Sequence, residues 1–161
     1  MLRVIKIILV LSVAAWAFAG AFGNVMDWEG TTGAVAAATS MSTFEGGAES
    51  WRATSNPAVI RAGAFYIVVL KMAAGVFSAL GAIRMVAARK ADAATFQKAK
   101  SLALAGCGVA MFMLFTGWIV IAETWFEMWR SDVMRDVALN SAFRYCGMIG
   151  VMALFIGMTD D

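Results

Sequence analysis

The chain has no histidine among its 161 residues. That removes the commonest haem ligand, the commonest metal ligand and the side chain that most often carries protons near neutrality. No Ser/His/Asp or Cys/His catalytic set can be assembled without it. Charge is also scarce. Asp, Glu, Lys and Arg make up 15% of residues, against about 25% in a soluble domain. The net charge of +2 is too small, and the basic residues too scattered, for a nucleic-acid surface. The glycines lack a nucleotide-binding context, since no strand precedes them and no G-x-x-x-x-G-K follows.

What fills the chain is apolar residues, 61% of the total. They gather into runs of membrane-spanning length, since a hydrocarbon core of about 30 Å needs roughly 20 apolar residues in helical form. The runs cover residues 4–22, 62–83 and 101–122, with a weaker one at 138–158 whose uninterrupted part, 145–158, is short for a crossing. In that last run Arg144 snorkels to the headgroups, or the face packs on other helices. The expectation is an all-α fold: one domain over 1–161, a four-helix transmembrane bundle with a structured extracytoplasmic cap. The first run also reads as a signal peptide, with Arg3 and Lys6, an apolar core and Ala17-Phe18-Ala19. Retention is the preferred reading because the apolar run continues through Phe22.

Positive charge in short loops sets orientation. Arg3 and Lys6 share a side with the 84–100 loop, where Arg84, Arg89, Lys90, Lys98 and Lys100 face Asp92 alone. Both termini are therefore expected in the cytoplasm, and the Asp160–Asp161 tail does not oppose this because acids contribute little to the rule. The 84–100 loop reads as a short amphipathic segment, with Phe96 on apolar surface and Lys98 and Lys100 toward anionic headgroups, or as a solvated connector. Opposite lie the loops 23–61 and 123–137. The first is rich in Gly, Ser, Thr and Ala, has an Ala-rich stretch at 34–41 expected to form a short helix, and ends at Asn56-Pro57.

All six tryptophans fall in the outer half of this topology: Trp16, Trp28, Trp51, Trp118, Trp125 and Trp129. An aromatic belt explains them. So does a stacked aromatic site on 123–130, able to hold a quinone-like ring, a lipid or another subunit. Lys71, mid-way along the second span, costs about 2.5–3.5 kcal/mol on insertion scales. It snorkels outward, meets hydroxyls or carbonyls (Thr116 is one candidate), or pairs with an acid on another chain. Cys107 and Cys146 should differ in depth by about 15 Å at 1.5 Å per residue, whereas a disulfide needs Cα atoms within about 7 Å. Both read as small buried hydrophobes that make no metal site. Gly75-x-x-x-Ala79, Gly106-x-x-x-Ala110 and Ala153-x-x-x-Gly157 allow close helix approach.

Several stretches bear a resemblance over nearly the whole chain. They are Trp51-Arg52-Ala53 leading to Asn56-Pro57-Ala58, then Phe96-Gln97-Lys98-Ala99-Lys100, then Gly117-Trp118-Ile119-Val120-Ile121 with Glu123, Trp125-Phe126 and Met128-Trp129, and finally Ala142-Phe143-Arg144. With the spacing of the spans, they resemble a bacterial family of predicted small integral membrane proteins with four spans. The resemblance implies the inner membrane of a Gram-negative bacterium and supplies no activity. Its second span often carries an acid where this chain has Lys71, so no role transfers to that position.

The functional expectation is a non-catalytic accessory or assembly subunit of a respiratory or photosynthetic inner-membrane complex. It needs no cofactor, metal or catalytic residue, and its partners are membrane lipids and other membrane subunits. A small transporter using Lys71 is an alternative. A lipid- or quinone-binding protein is another, as is surface acid–base chemistry by Glu123 and Glu127. The expected contact residues are Lys71, Trp28, Trp51, Arg52, Trp118, Glu123, Trp125, Trp129 and Arg144.

Overall fold

A computed structural model describes residues 1–160. It is all-helical, with no strand among the described residues. Four helical stretches are long and apolar enough to cross a membrane: Leu2–Met26, Pro57–Ala88, Ala93–Trp125 and Asp132–Gly157. The first three run beyond the limits read from hydropathy at both ends, and the fourth begins six residues earlier than its limit but stops at Gly157, one short of it. Hydropathy marks only the part in hydrocarbon, whereas a helix continues into the interface until a residue stops it.

For α1 (Leu2–Met26) that residue is Asp27, whose backbone breaks the helix at φ −110°, ψ 64°. Its carboxylate accepts from Gly30 N at 3.0 Å and so caps α2 (Trp28–Ser40). This cap starts the interface helix six residues before the Ala-rich stretch that suggested it, at 28 rather than 34. Met41, left-handed at φ +52°, ends it. α3 (Pro57–Ala88) opens with Asn56 accepting from Ala58 N at 2.9 Å and with proline in its first turn, where no N–H is missed. Its 32 residues rise about 48 Å at 1.5 Å per residue, more than the hydrocarbon needs. Asp92 accepts from Thr95 N and caps α4 (Ala93–Ala99), which holds Phe96 fully buried. That hydrogen bond keeps the exposed Asp92 carboxyl below its ordinary pKa.

α5 (Ser101–Leu114) widens into a π-helix over Phe115–Trp125. Thr124 Oγ1 donates to Ile119 O at 2.8 Å inside it. A single turn at Met128–Arg130, the short α6 (Asp132–Met134) and a π turn at Arg135–Leu139 then lead into α7 (Asn140–Gly157).

α3 is the central helix, packing on α1 and α5, while α7 closes the bundle against α5 and α1. The seams are made of small residues. A Cβ on Gly81 would strike the backbone of Ala103, and one on Gly106 would strike Ser78. The Gly75 face meets the Phe18 ring. Gly81, not Gly157, makes the third close approach: Gly157 only touches Leu104. Such contacts suit lipid, where helices associate by packing and not by hydrophobic drive. Only 22–39% of each span's apolar window is buried, and water would not tolerate the remainder. Cys107 is buried, Cys146 half-buried, and both are free.

Candidate functional site

Three polar clusters and one cavity stand out, and the chain's two ends are built differently.

At the end that carries both termini, Lys6 of α1 and Lys100 of the α4–α5 junction both donate to Asp160 Oδ2, Lys6 at 3.0 Å. Lys6 and Lys100 side chains are 0% exposed and Asp160 3%. Both ammoniums also donate to Met158 O, at 2.6 and 2.7 Å, and so neutralise the carbonyl end of α7. Gln97 bridges Lys100 and Gly157 O. Burial pushes the Asp160 carboxyl upward, but the hydrogen bonds and charges of Lys100 and Lys6 outweigh it and hold it below the usual carboxylate value. This corrects one expectation: Lys100 does not face headgroups. The two lysines supply donors that a buried carboxylate needs, and a tail 60 or more positions away in sequence supplies the acceptor.

In the membrane region, Lys71 Nζ donates to Asn24 Oδ1 at 2.7 Å. Asn24 Nδ2 then donates to Thr31 Oγ1 at 2.8 Å, tying α1 to α2. Thr116 is not the acceptor. Lys71 leans toward the end of α1 that carries Asn24, and its ammonium is met within the chain. Asn24 is neutral, so the contact gives the ammonium an acceptor and leaves its charge without a counter-ion.

The loop end is held by ions more than by stacked rings. Arg52 and Arg130 both pair with Glu127, Arg130 at 3.0 Å to Oε2. Arg52 also donates to Trp125 O at 3.0 Å, and Arg130 to Glu45 O at 3.1 Å. The guanidiniums of Arg130 and Arg52 hold the Glu127 carboxyl below its usual range. Each Glu127 oxygen is thus engaged by a guanidinium. Glu123 is half-buried and makes no hydrogen bond or ion pair among the described residues.

The tryptophans scatter. Trp51 and Trp125 meet edge-to-face at 5.6 Å, Trp28 packs on Phe65 at 5.0 Å, and Trp129 has no ring partner among the described residues. A single stacked site on 123–130 is therefore not formed, because the helix breaks at Phe126 and Glu127 (φ +51°) turns the two rings apart. Arg144 is exposed, over the Tyr145 ring and 3.3 Å from Ser141 Oγ.

The ring-lined space lies deeper, at Trp118. A cavity of about 420 Å³ sits between α2, α3 and the π segment. Ala34, Val35, Ala38 and Thr39 form one wall; Val59, Ala62, Gly63, Tyr66 and Ile67 a second; Gly117, Trp118, Ile121 and Ala122 a third; and Phe126, Met128, Met134 and Ala138 the loop end. Of the expected contact residues only Trp118 lines it. The others were missed because no local pattern announces a gap between three helices. The π segment that borders it carries no sequence signal either, though such turns widen a helix and recur at functional sites. Among the described residues no group of His, Cys, Asp or Glu is placed to hold a metal ion.

Four apolar spans, small-residue seams and lipid-facing surfaces define a multi-span helical integral membrane protein. The chain matches, over residues 2–159, the family described as predicted small integral membrane protein (DUF2165), and it belongs to that family. Comparison with curated proteins and with solved structures gives no match.

Proposed function

We propose that the protein is a non-catalytic membrane protein that binds an apolar ligand in the cavity between α2, α3 and the π segment, and that it resides in a bacterial inner membrane. The cavity carries this reading. Its roughly 420 Å³ falls in the range of about 300–1,000 Å³ typical of ligand sites, which are likewise mostly apolar with aromatic walls. Native mass spectrometry of the full chain tests it. The wild-type protein should retain an apolar adduct of defined mass after detergent exchange, and Ala38→Phe, which fills the cavity, should lose it. An adduct retained equally by both would count against the site.

A second reading keeps the accessory-subunit role in a respiratory or photosynthetic complex, with other membrane subunits as partners. Exposed aromatic surface at the loop end favours it: Trp51 is 82% exposed, Trp125 48% and Trp129 54%. Aromatic residues are enriched in interfaces of this kind. Purification in mild detergent should then yield a stoichiometric partner, lost in a Trp51→Ala/Trp129→Ala variant. A chain that runs alone rules this reading out.

A further inference from the structure

The chemistry of the cavity wall narrows the ligand. Thr39, Tyr66 and Trp118 are the only lining side chains with a polar hydrogen. The Thr39 hydroxyl lies 3.5 Å from Ala36 O and the Tyr66 hydroxyl 3.5 Å from Met113 O, contacts too long to fix either one. A quinone ring has two carbonyl acceptors, and the wall offers them no charged donor, only these two hydroxyls and the Trp118 indole N–H. A buried acceptor left unpaired is unfavourable, whereas a hydrocarbon chain asks nothing of the wall.

Depth adds a second constraint. The wall on α3 runs from Val59, in its first turns, to Ile67. Because α3 is longer than the hydrocarbon is thick, this stretch passes from the interface into the membrane. A ligand filling it has an apolar tail inside and a head near the loops. Two guanidiniums there, Arg52 and Arg130, converge on one carboxylate, Glu127, and are the local donors for a phosphate; the surrounding loops, 23–61 and 123–137, carry eight acids against four arginines, so any such attraction is confined to this cluster. That group is fastened to the cavity's loop end through Trp125 O, next in sequence to the lining residue Phe126. Arg52 Nε is buried and has no hydrogen-bond partner among the described residues.

We infer that the cavity holds one acyl chain of a membrane phospholipid, its phosphate beside Arg52 and Arg130 and its methyl end toward Tyr66 and Trp118. This rests on the reading of the cavity as an apolar-ligand site. Small side chains on facing walls, Ala38 and Ala122 among them, leave a slot for a chain.

The test reconstitutes the full chain in phosphatidylethanolamine–phosphatidylglycerol vesicles containing a phospholipid with a diazirine near the end of one acyl chain. After illumination, labelled peptides are mapped. Label is expected on Tyr66 and Trp118 and to fall at least tenfold in Ala38→Phe, with label on the lipid-facing Val69 and Val76 unchanged. Ala122→Leu, from the opposite wall, must reproduce the loss, and unchanged Val69 labelling shows that both variants fold. A fatty alcohol bearing the same photoreactive chain should label Tyr66 and Trp118 less than the phospholipid does, and Arg52→Gln/Arg130→Gln should erase that difference. Label confined to Val69 and Val76, or insensitive to both fillings, overturns the acyl-chain assignment. If a short-chain photoreactive quinone labels Trp118 and the phospholipid does not, the assignment fails while the apolar-ligand reading stands. If neither labels the cavity, both fail.

Discussion

Lys71 and Asn24 form a pair whose removal costs differently from each side. Asn24→Leu leaves an ammonium in a half-buried position without its acceptor, which is expected to cost about 1–3 kcal/mol. Lys71→Met keeps the aliphatic stem and removes the charge, so it should stay within about 1 kcal/mol of wild type. The double variant should recover most of the Asn24→Leu loss. Thermal unfolding in detergent measures all three. A harmless Asn24→Leu would show that the Lys71 ammonium is solvated instead.

Asp160 allows a sharper statement. Its carboxylate compensates two buried ammoniums, and Asp160→Asn leaves them facing each other, a loss of about 3–5 kcal/mol by analogy with broken buried pairs. The pH dependence follows from the direction of its pKa. Folding lowers it below the unfolded value of about 3.9. The stability it contributes is therefore complete above that value and disappears as pH falls through the lower, folded one. Unfolding temperature should show no Asp160-dependent change between about pH 5 and 8. It should drop in stronger acid, and Asp160→Asn should lack that acid step. None of this was legible in sequence. Lys6, Lys100 and Asp160 each looked like ordinary terminal or loop charge, and only the return of the tail onto α1 brings them together.

Among the elements, the α3–α5 seam makes a prediction that separates close approach from mere helix content. Gly81→Ala puts a methyl against the Ala103 backbone and should destabilise by about 1–3 kcal/mol, because backbone cannot move aside as a side chain does. A Cβ on Gly108 meets nothing within 4 Å. Gly108→Ala should therefore gain up to about 1 kcal/mol from helix propensity alone. Opposite signs in the same helix pair are the expected result, read by thermal unfolding. Equal effects would mean that the seam is looser than described.

The spans were the legible part of the fold, since runs such as 62–83 have no other soluble explanation. Their ends were less so. Gly23 and Asn24 read as the start of a loop, yet α1 continues to Met26 before Asp27 stops it. The cap Asp27 and the cap Asp92 were readable signals, and Asp27 places α2 better than alanine content did. The π-helix over Phe115–Trp125 had none, because its apolar residues satisfy an α pattern equally well. The cavity that it borders was consequently invisible, apart from Trp118.

Across the described residues, the start of α1 and the stretch after α7 meet at one end through Lys6 and Asp160, opposite the loops that carry Arg52 and Glu127. Burial of Lys6 and Lys100 does not alter the charge bias, for Arg3, Arg84, Arg89, Lys90 and Lys98 remain at the same end. That end is expected in the cytoplasm. Reporter fusions at residues 47 and 92 should give opposite signals, with the cytoplasmic signal at 92. The reverse pair would invert the orientation and move the cavity to the other leaflet.

An experimental density map of the protein in lipid nanodiscs bears most directly on the cavity. Elongated non-protein density is expected between α2, α3 and the π segment, ending at Tyr66 and Trp118 and absent in Ala38→Phe. A cavity closed by α2 packed onto Trp118, or filled only by water, would contradict it.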